Sequence, residues 1–173
     1  MGVVRNKINK NEVEQISIEQ EETVNIYGSP IPADTKIGHL VYENDSHTGP
    51  FKGAVDIGLE VRTPVLAPLK GKVIRVRDDS DQYGQDKKYS KLGNVINIKH
   101  KHGEISELIH LEKGSALVRV GDDVEEGQQL AVTGLSGWMS APHLHWLVFK
   151  RIPEDPKFKG LKIRLKRPLE EFV

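Results

Sequence analysis

The chain of 173 residues contains no cysteine. That excludes a disulfide framework, a cysteine-based zinc finger and a thiol nucleophile together. It also lacks net charge, because Lys plus Arg and Asp plus Glu both number 25. A general nucleic-acid binder would need a basic excess, so none is expected as a partner. Aromatics make up 6% of the residues, which disfavours a base-stacking platform. No apolar run approaches the roughly 20 residues of a membrane helix, so no membrane span is expected. The start, MGVVRNKINKNEVEQ, carries basic residues but no apolar stretch of the signal-peptide kind. The expectation from this sequence as written is a cytoplasmic location, or the cell envelope if an export segment has been removed.

Helical periodicity is also scarce; no window above about ten residues sustains it. What is present is a series of short β-type segments with glycine punctuation: 63–69, 72–77, 95–100, 105–111, 128–132 and 144–149. The alternation in Val73-Ile74-Arg75-Val76-Arg77 and in Asn94-Val95-Ile96-Asn97-Ile98-Lys99 is that of half-buried strands. Many short strands at close spacing imply an all-β sandwich or barrel of antiparallel strands. The length suits one domain able to bury a core without staples. We expect a core unit at 44–152, an N-terminal extension at 1–43 packed on it and a C-terminal extension at 153–173. Weak alternation at Val13, Ile16, Ile18, Val24 and Ile26 suggests a strand or two in the first extension. The polar run from Asp78 to Lys91 reads as a surface excursion between two strands, able to shape access to a site if it lies beside one.

The composition is rich in one metal-binding residue type, with seven histidines. Without cysteine, any transition-metal site must be built from histidine and carboxylate. Pro142-His143-Leu144-His145-Trp146 is the clearest signal. On a strand, His143 and His145 project from one face, about 7 Å apart, while Leu144 and Trp146 face the other side. His110 ends the apolar segment Ile105–Leu111, an odd position for a core residue. Asp56 sits in the apolar context Ala54-Val55-Asp56-Ile57-Gly58, where an uncompensated charge costs several kcal/mol. Each has a plainer explanation alone, as a capping aspartate or a hydrogen-bonded core histidine. Together they suggest a metal site for hydrolysis. His100 and His102 read as structural or surface residues at a strand end and turn.

Those residues sit within a longer resemblance. Ala54-Val55-Asp56, Thr63-Pro64-Val65-Leu66-Ala67-Pro68, Gly71-Lys72-Val73, Gly93-Asn94-Val95-Ile96-Asn97-Ile98-Lys99-His100, Ile109-His110-Leu111, Val120 to Gln128, Thr133-Gly134 and the Pro142–Trp146 motif follow in unbroken order. From about residue 44 to 149 the chain resembles the lysostaphin/LytM-type zinc metallopeptidases, which mostly cut peptide bonds in bacterial peptidoglycan. The resemblance implies the duplicated-hybrid-motif β-sandwich, one zinc ion per chain and a peptide substrate, from a peptidoglycan stem peptide or cross-bridge. It places metal ligands at Asp56 and His145 and catalytic roles, as base and oxyanion donor, at His110 and His143. Carbonyl or carboxylate partners that the sequence does not name should fix the tautomers of the ligating histidines.

The first ligand departs from the pattern. In the commonest spacing it would fall at Lys52, whose ammonium has no lone pair for a metal. Either His47, nine positions before Asp56, folds back to the metal, as in a branch of the family, or the domain is an inactive scaffold. His39 is a more distant candidate. Two further departures are Arg62 for the usual glycine of a turn, and Leu108 for an aromatic two before His110 that could contact substrate. A biotinyl or lipoyl carrier shares the phrases Ala67-Pro68-x-x-Gly71-x-Val73 and Gly121-Asp122-x-Val124-x-x-Gly127-Gln128. It would need a lysine flanked by methionines, and the two methionines here are Met1 and Met139. A sugar-phosphotransferase carrier would use a phosphorylated histidine and has no need of Asp56.

Overall fold

A computed structural model describes residues 20–154 and 157–172, so the expected pattern at Val13, Ile16 and Ile18 lies outside the described residues. Twelve strands are formed among them, and the helical pieces are 3-10 turns of three to five residues. The strands are β1 (Leu40–Val41), β2 (Val55–Gly58), β3 (Pro64–Leu66), β4 (Gly71–Arg77), β5 (Tyr83–Gly84) and β6 (Val95–Lys99). Then come β7 (Glu104–Ile109), β8 (Asp123–Val124), β9 (Gln129–Val132), β10 (Gly137–Trp138), β11 (His143–Arg151) and β12 (Phe158–Gly160). All six segments expected from the sequence contain a strand, and the all-β class holds. The short strands β1, β2, β5, β8, β10 and β12 add to that set.

One sheet of eight strands runs β1-β2-β11-β7-β6-β4-β8, with β12 also paired to β11; no closed barrel is formed among the described residues. Its pairings are antiparallel throughout. Strands β3 and β9 form a separate antiparallel pair, while β5 and β10 are parallel. Alternation sorts the sheet's two faces. Val55, Ile57, Val73, Ile96, Ile98, Leu108, Leu144, Trp146 and Val148 join Val65, Ala67, Leu130 and Ala131 of the β3–β9 region in the main core. Leu144 and Trp146 are fully buried there, as the His-x-His alternation requires. Asp56, His143 and His145 therefore belong to the opposite face, which carries a smaller apolar cluster of Ala54, Ile105, Leu147 and Phe149. Leu108 is wholly inside the main core, so its position bears on packing and offers no substrate contact.

The described part of the N-terminal extension pairs with the C-terminal one through bridges Glu22–Lys162 and Tyr27–Leu165. Buried Glu104 anchors it, accepting hydrogen bonds from Val24 N, Asn25 Nδ2 and the Tyr27 hydroxyl. Burial and the Glu104 carboxylate push the Tyr27 phenol far above its ordinary range, so it stays a donor. Arg62 adopts φ 67°, the left-handed conformation that a glycine would take without strain. Its guanidinium meets Glu112 at 2.7 Å.

Candidate metal centre and active site

The register of β2 against β11 places Asp56 directly opposite His145, residues 89 apart in the chain. Directly opposed side chains share a face with Cβ atoms about 5 Å apart. His145 Nδ1 is 2.8 Å from Asp56 Oδ1, and His143 Nε2 is 3.7 Å from the same oxygen. His47 comes from the loop between β1 and β2. Asn44 shapes that loop: its Oδ1 accepts from the backbone N–H groups of Ser46 and His47, and its Nδ2 donates to Asp56 Oδ2 at 3.1 Å. The chain is thereby folded back on Asp56, and His47 is 4% exposed.

His47 Nδ1 lies 3.0 Å from the carbonyl of Tyr42. A carbonyl only accepts, so Nδ1 carries the proton and Nε2 presents a lone pair. That Nε2 is 3.1 Å from Asp56 Oδ1, yet it is buried with no aligned hydrogen-bond partner. Two lone pairs facing each other out of water repel unless a proton or a cation lies between them. One ligand atom each from His47, Asp56 and His145 lies within 4.8 Å of the others. Two nitrogens and a carboxylate oxygen are a donor set that zinc takes readily. The residues present thus fit a metal ion. Lys52 is exposed and outside the cluster, and so is His39.

Burial would raise the Asp56 carboxyl, but His145 and His47 beside it hold it well below the usual carboxylate range. Burial would lower His47, but the Asp56 carboxylate beside it outweighs that and holds the imidazole above its ordinary value, because this pair of atoms attracts a proton when no cation lies between them. His110 stands just past the end of β7 with φ 70°, which turns it out of the strand and towards His143. The two rings are 4.4 Å apart, edge to face. His110 Nδ1 donates to the Ser136 carbonyl at 2.6 Å and His143 Nδ1 to that of Ala141 at 2.9 Å, so each leaves its Nε2 as the basic atom. Burial, then the like charge of His143, pushes His110 down to about 3; burial also lowers His143 against the opposing pull of Asp56. Both are neutral near pH 7, the form a base needs.

The carbonyl of Ser136 reaches His110 because two glycines touch. A Cβ on Gly137, at φ 89°, would stand 2.8 Å from the Gly93 Cα. Buried Asn94 ties this region together through its side chain, which donates to Ser80 O and Leu111 O and accepts from Ser80 N. All five expected site residues come together here. His47, Asp56 and His145 form the cluster, while His110 and His143 line the same cleft of about 870 Å³ as Asp56 and His145. His100 is a structural residue: Nδ1 donates to Lys70 O and Nε2 accepts from Ser106 Oγ. Sequence reasoning missed Asn44, and the three carbonyls that orient imidazoles left no trace in residue type.

Residues 50–156 match the model of peptidase family M23. The chain belongs to peptidase family M23. The expected lysostaphin/LytM-type family is borne out, and the carrier readings fall with it. The M23 match spans Asp56, His110, His143 and His145 and begins three residues after His47. An uncharacterized metalloprotease of Buchnera aphidicola is 27% identical over 137 residues, covering 78% of this chain and 32% of that protein. The peptidoglycan DD-endopeptidase ShyB of Vibrio cholerae is 35% identical over 98 residues, covering 54% and 20%. A zinc-containing peptidase of Vibrio cholerae, known as a crystal structure, superposes with TM-score 0.53 at 26% identity, covering 72% of this chain and 36% of that one. The chain spans about a third or less of the length of these curated relatives.

Proposed function

We propose that this M23 domain is a zinc-dependent endopeptidase acting on peptidoglycan stem peptides or cross-bridges. The proposal assigns residues 44–152 as the catalytic unit, with 1–43 and 153–173 as extensions. His47 Nε2, an Asp56 oxygen and His145 Nδ1 would hold one zinc ion per chain. The observation carrying this is the buried His47 lone pair aimed at the Asp56 carboxylate, beside two histidines whose Nδ1 atoms are held by main-chain carbonyls. Zinc bound there supplies Lewis acidity, polarising a peptide carbonyl and acidifying water.

The protein's own groups do the rest. His110 and His143 are held by the Ser136 and Ala141 carbonyls, so their Nε2 atoms can take a proton from an attacking water and later return it to the leaving amine. Whichever of the pair carries the extra proton is a donor to the oxyanion that develops on the scissile carbonyl. Asn44 holds Asp56 in one orientation, leaving Oδ1 towards the histidines. ShyB, named for peptidoglycan DD-endopeptidase activity, supports this substrate class.

Zinc content and hydrolysis of purified peptidoglycan test the reading. Wild-type protein should hold about one zinc per chain and release peptide fragments. His47→Ala, Asp56→Ala and His145→Ala should each lose both properties. His110→Ala should keep the metal and lose hydrolysis. Failure to take up zinc on reconstitution would favour the inactive scaffold. Loss of metal on Lys52→Ala, with retention on His47→Ala, would overturn the ligand assignment.

A further inference from the structure

Resting on that proposed peptidase reading, we propose that the Asp78–Lys91 excursion is a specificity wall, and that Lys87 and Lys91 select peptides carrying a free carboxylate near the scissile bond. The excursion is built against the catalytic histidines. Strand β5 within it pairs with β10, the main-chain N–H groups of Gly137 and Met139 donate to Gln82 O and Gly84 O, and Trp138 Nε1 donates to Gln85 O at 2.9 Å. The segment it grips, 136–139, also presents the Ser136 carbonyl to His110. A displacement of the wall would therefore be felt at His110.

A 3-10 turn, Lys87–Lys91, closes the excursion. Asp86 caps it by accepting from the Lys88 N–H, the Tyr89 ring packs where Gly84 has no side chain, and the Arg77 guanidinium holds the Lys91 carbonyl. The three lysines of the turn differ. Lys88 is 4.0 Å from Asp86 and lies over the Tyr89 ring, and it is absent from the lining of the cleft. Lys87 and Lys91 line the cleft with Ser90 and Trp138, and neither has an ion pair among the described residues. An acidic residue, Asp45, borders the cleft as well.

Two lysines on an anchored wall of the cleft, without an ion pair among the described residues, are a receptor for negative charge. In a peptide that charge is a carboxylate, carried by a side chain or by the C-terminus. Each exposed lysine–carboxylate pair contributes modestly, so the two together should give about tenfold preference. The preference should fade with salt, because the pairs are open to solvent.

Three peptides of one sequence test this: one with both carboxylates free, one with the side-chain carboxylate amidated, one with the C-terminus amidated. Their binding is followed by NMR titration and their cleavage by chromatography. The expected result is about tenfold weaker binding when one particular carboxylate is masked, which also tells side-chain from terminal recognition. That difference should vanish in Lys87→Ala/Lys91→Ala, survive in Lys87→Arg/Lys91→Arg and survive in Lys88→Ala. Equal binding of all three peptides by wild-type protein, or a preference that persists in the double alanine variant, would overturn the proposal. Absence of cleavage of every peptide would count against the peptidase reading alone, because the binding titration reports on the lysines independently.

Discussion

Replacing Asn94 with alanine tests how the 78–91 excursion is joined to the segment that presents the Ser136 carbonyl to His110. The Asn94 side chain is fully buried and makes three hydrogen bonds: Nδ2 to Ser80 O at 2.8 Å, Nδ2 to Leu111 O at 3.0 Å, and Oδ1 from Ser80 N at 2.9 Å. The Leu111 carbonyl keeps a second donor, the Ser136 hydroxyl at 2.9 Å. Both backbone groups of Ser80, which is itself buried, lose their side-chain partner. Each buried group left unpaired costs about 1–3 kcal/mol. Two such groups and a small cavity give a loss of about 4 kcal/mol, a large part of a typical domain's stability. Urea unfolding followed by circular dichroism would measure it, with amide exchange at Ser80 as the local readout. We expect Ser80 to lose protection and peptidase activity to fall with it. A loss below about 1 kcal/mol, with Ser80 still protected, would refute the claim that this amide pins the excursion.

Other perturbations have equally definite outcomes. Arg62→Gly removes left-handed strain of about 1 kcal/mol at the expense of an exposed ion pair, so thermal unfolding should move upwards by a few degrees. Glu104→Ala takes the shared acceptor from Val24, Asn25 and Tyr27, and hydrogen exchange across 22–27 should accelerate well before global unfolding. His100 is pushed below its ordinary value by burial, so the unfolded chain binds more protons than the folded one at mildly acid pH. Its contribution is complete above about pH 6.5 and declines as pH falls towards the folded value. A His100→Asn variant should show a shallower loss of urea stability between pH 7 and pH 5 than wild type, measured on zinc-loaded protein.

Alternation made the central strands legible, and the His-x-His motif was legible for the same reason: a period of two separates the side bearing the candidate site from the core-facing side at once. Asp56 stood out because its apolar neighbours made a bare carboxylate improbable. Asn44 did not, because an asparagine in a polar loop is ordinary until the loop is seen to close on Asp56. Strands β5 and β10 are two residues each, too short for any period to register. Pairing of 22–27 with 162–165 joins segments at opposite ends of the sequence, and only the assembled sheet brings them side by side.

Three imidazoles in the site take their orientation from main-chain oxygens, those of Tyr42, Ser136 and Ala141. A peptide oxygen survives any substitution at its own position. Side-chain drift at 42 and 141 therefore leaves the acceptors in place so long as the backbone path is kept, and natural variation there should be broad. Gly137 has no such latitude, because at φ 89°, with any Cβ held 2.8 Å from the Gly93 Cα, the backbone path itself depends on the residue.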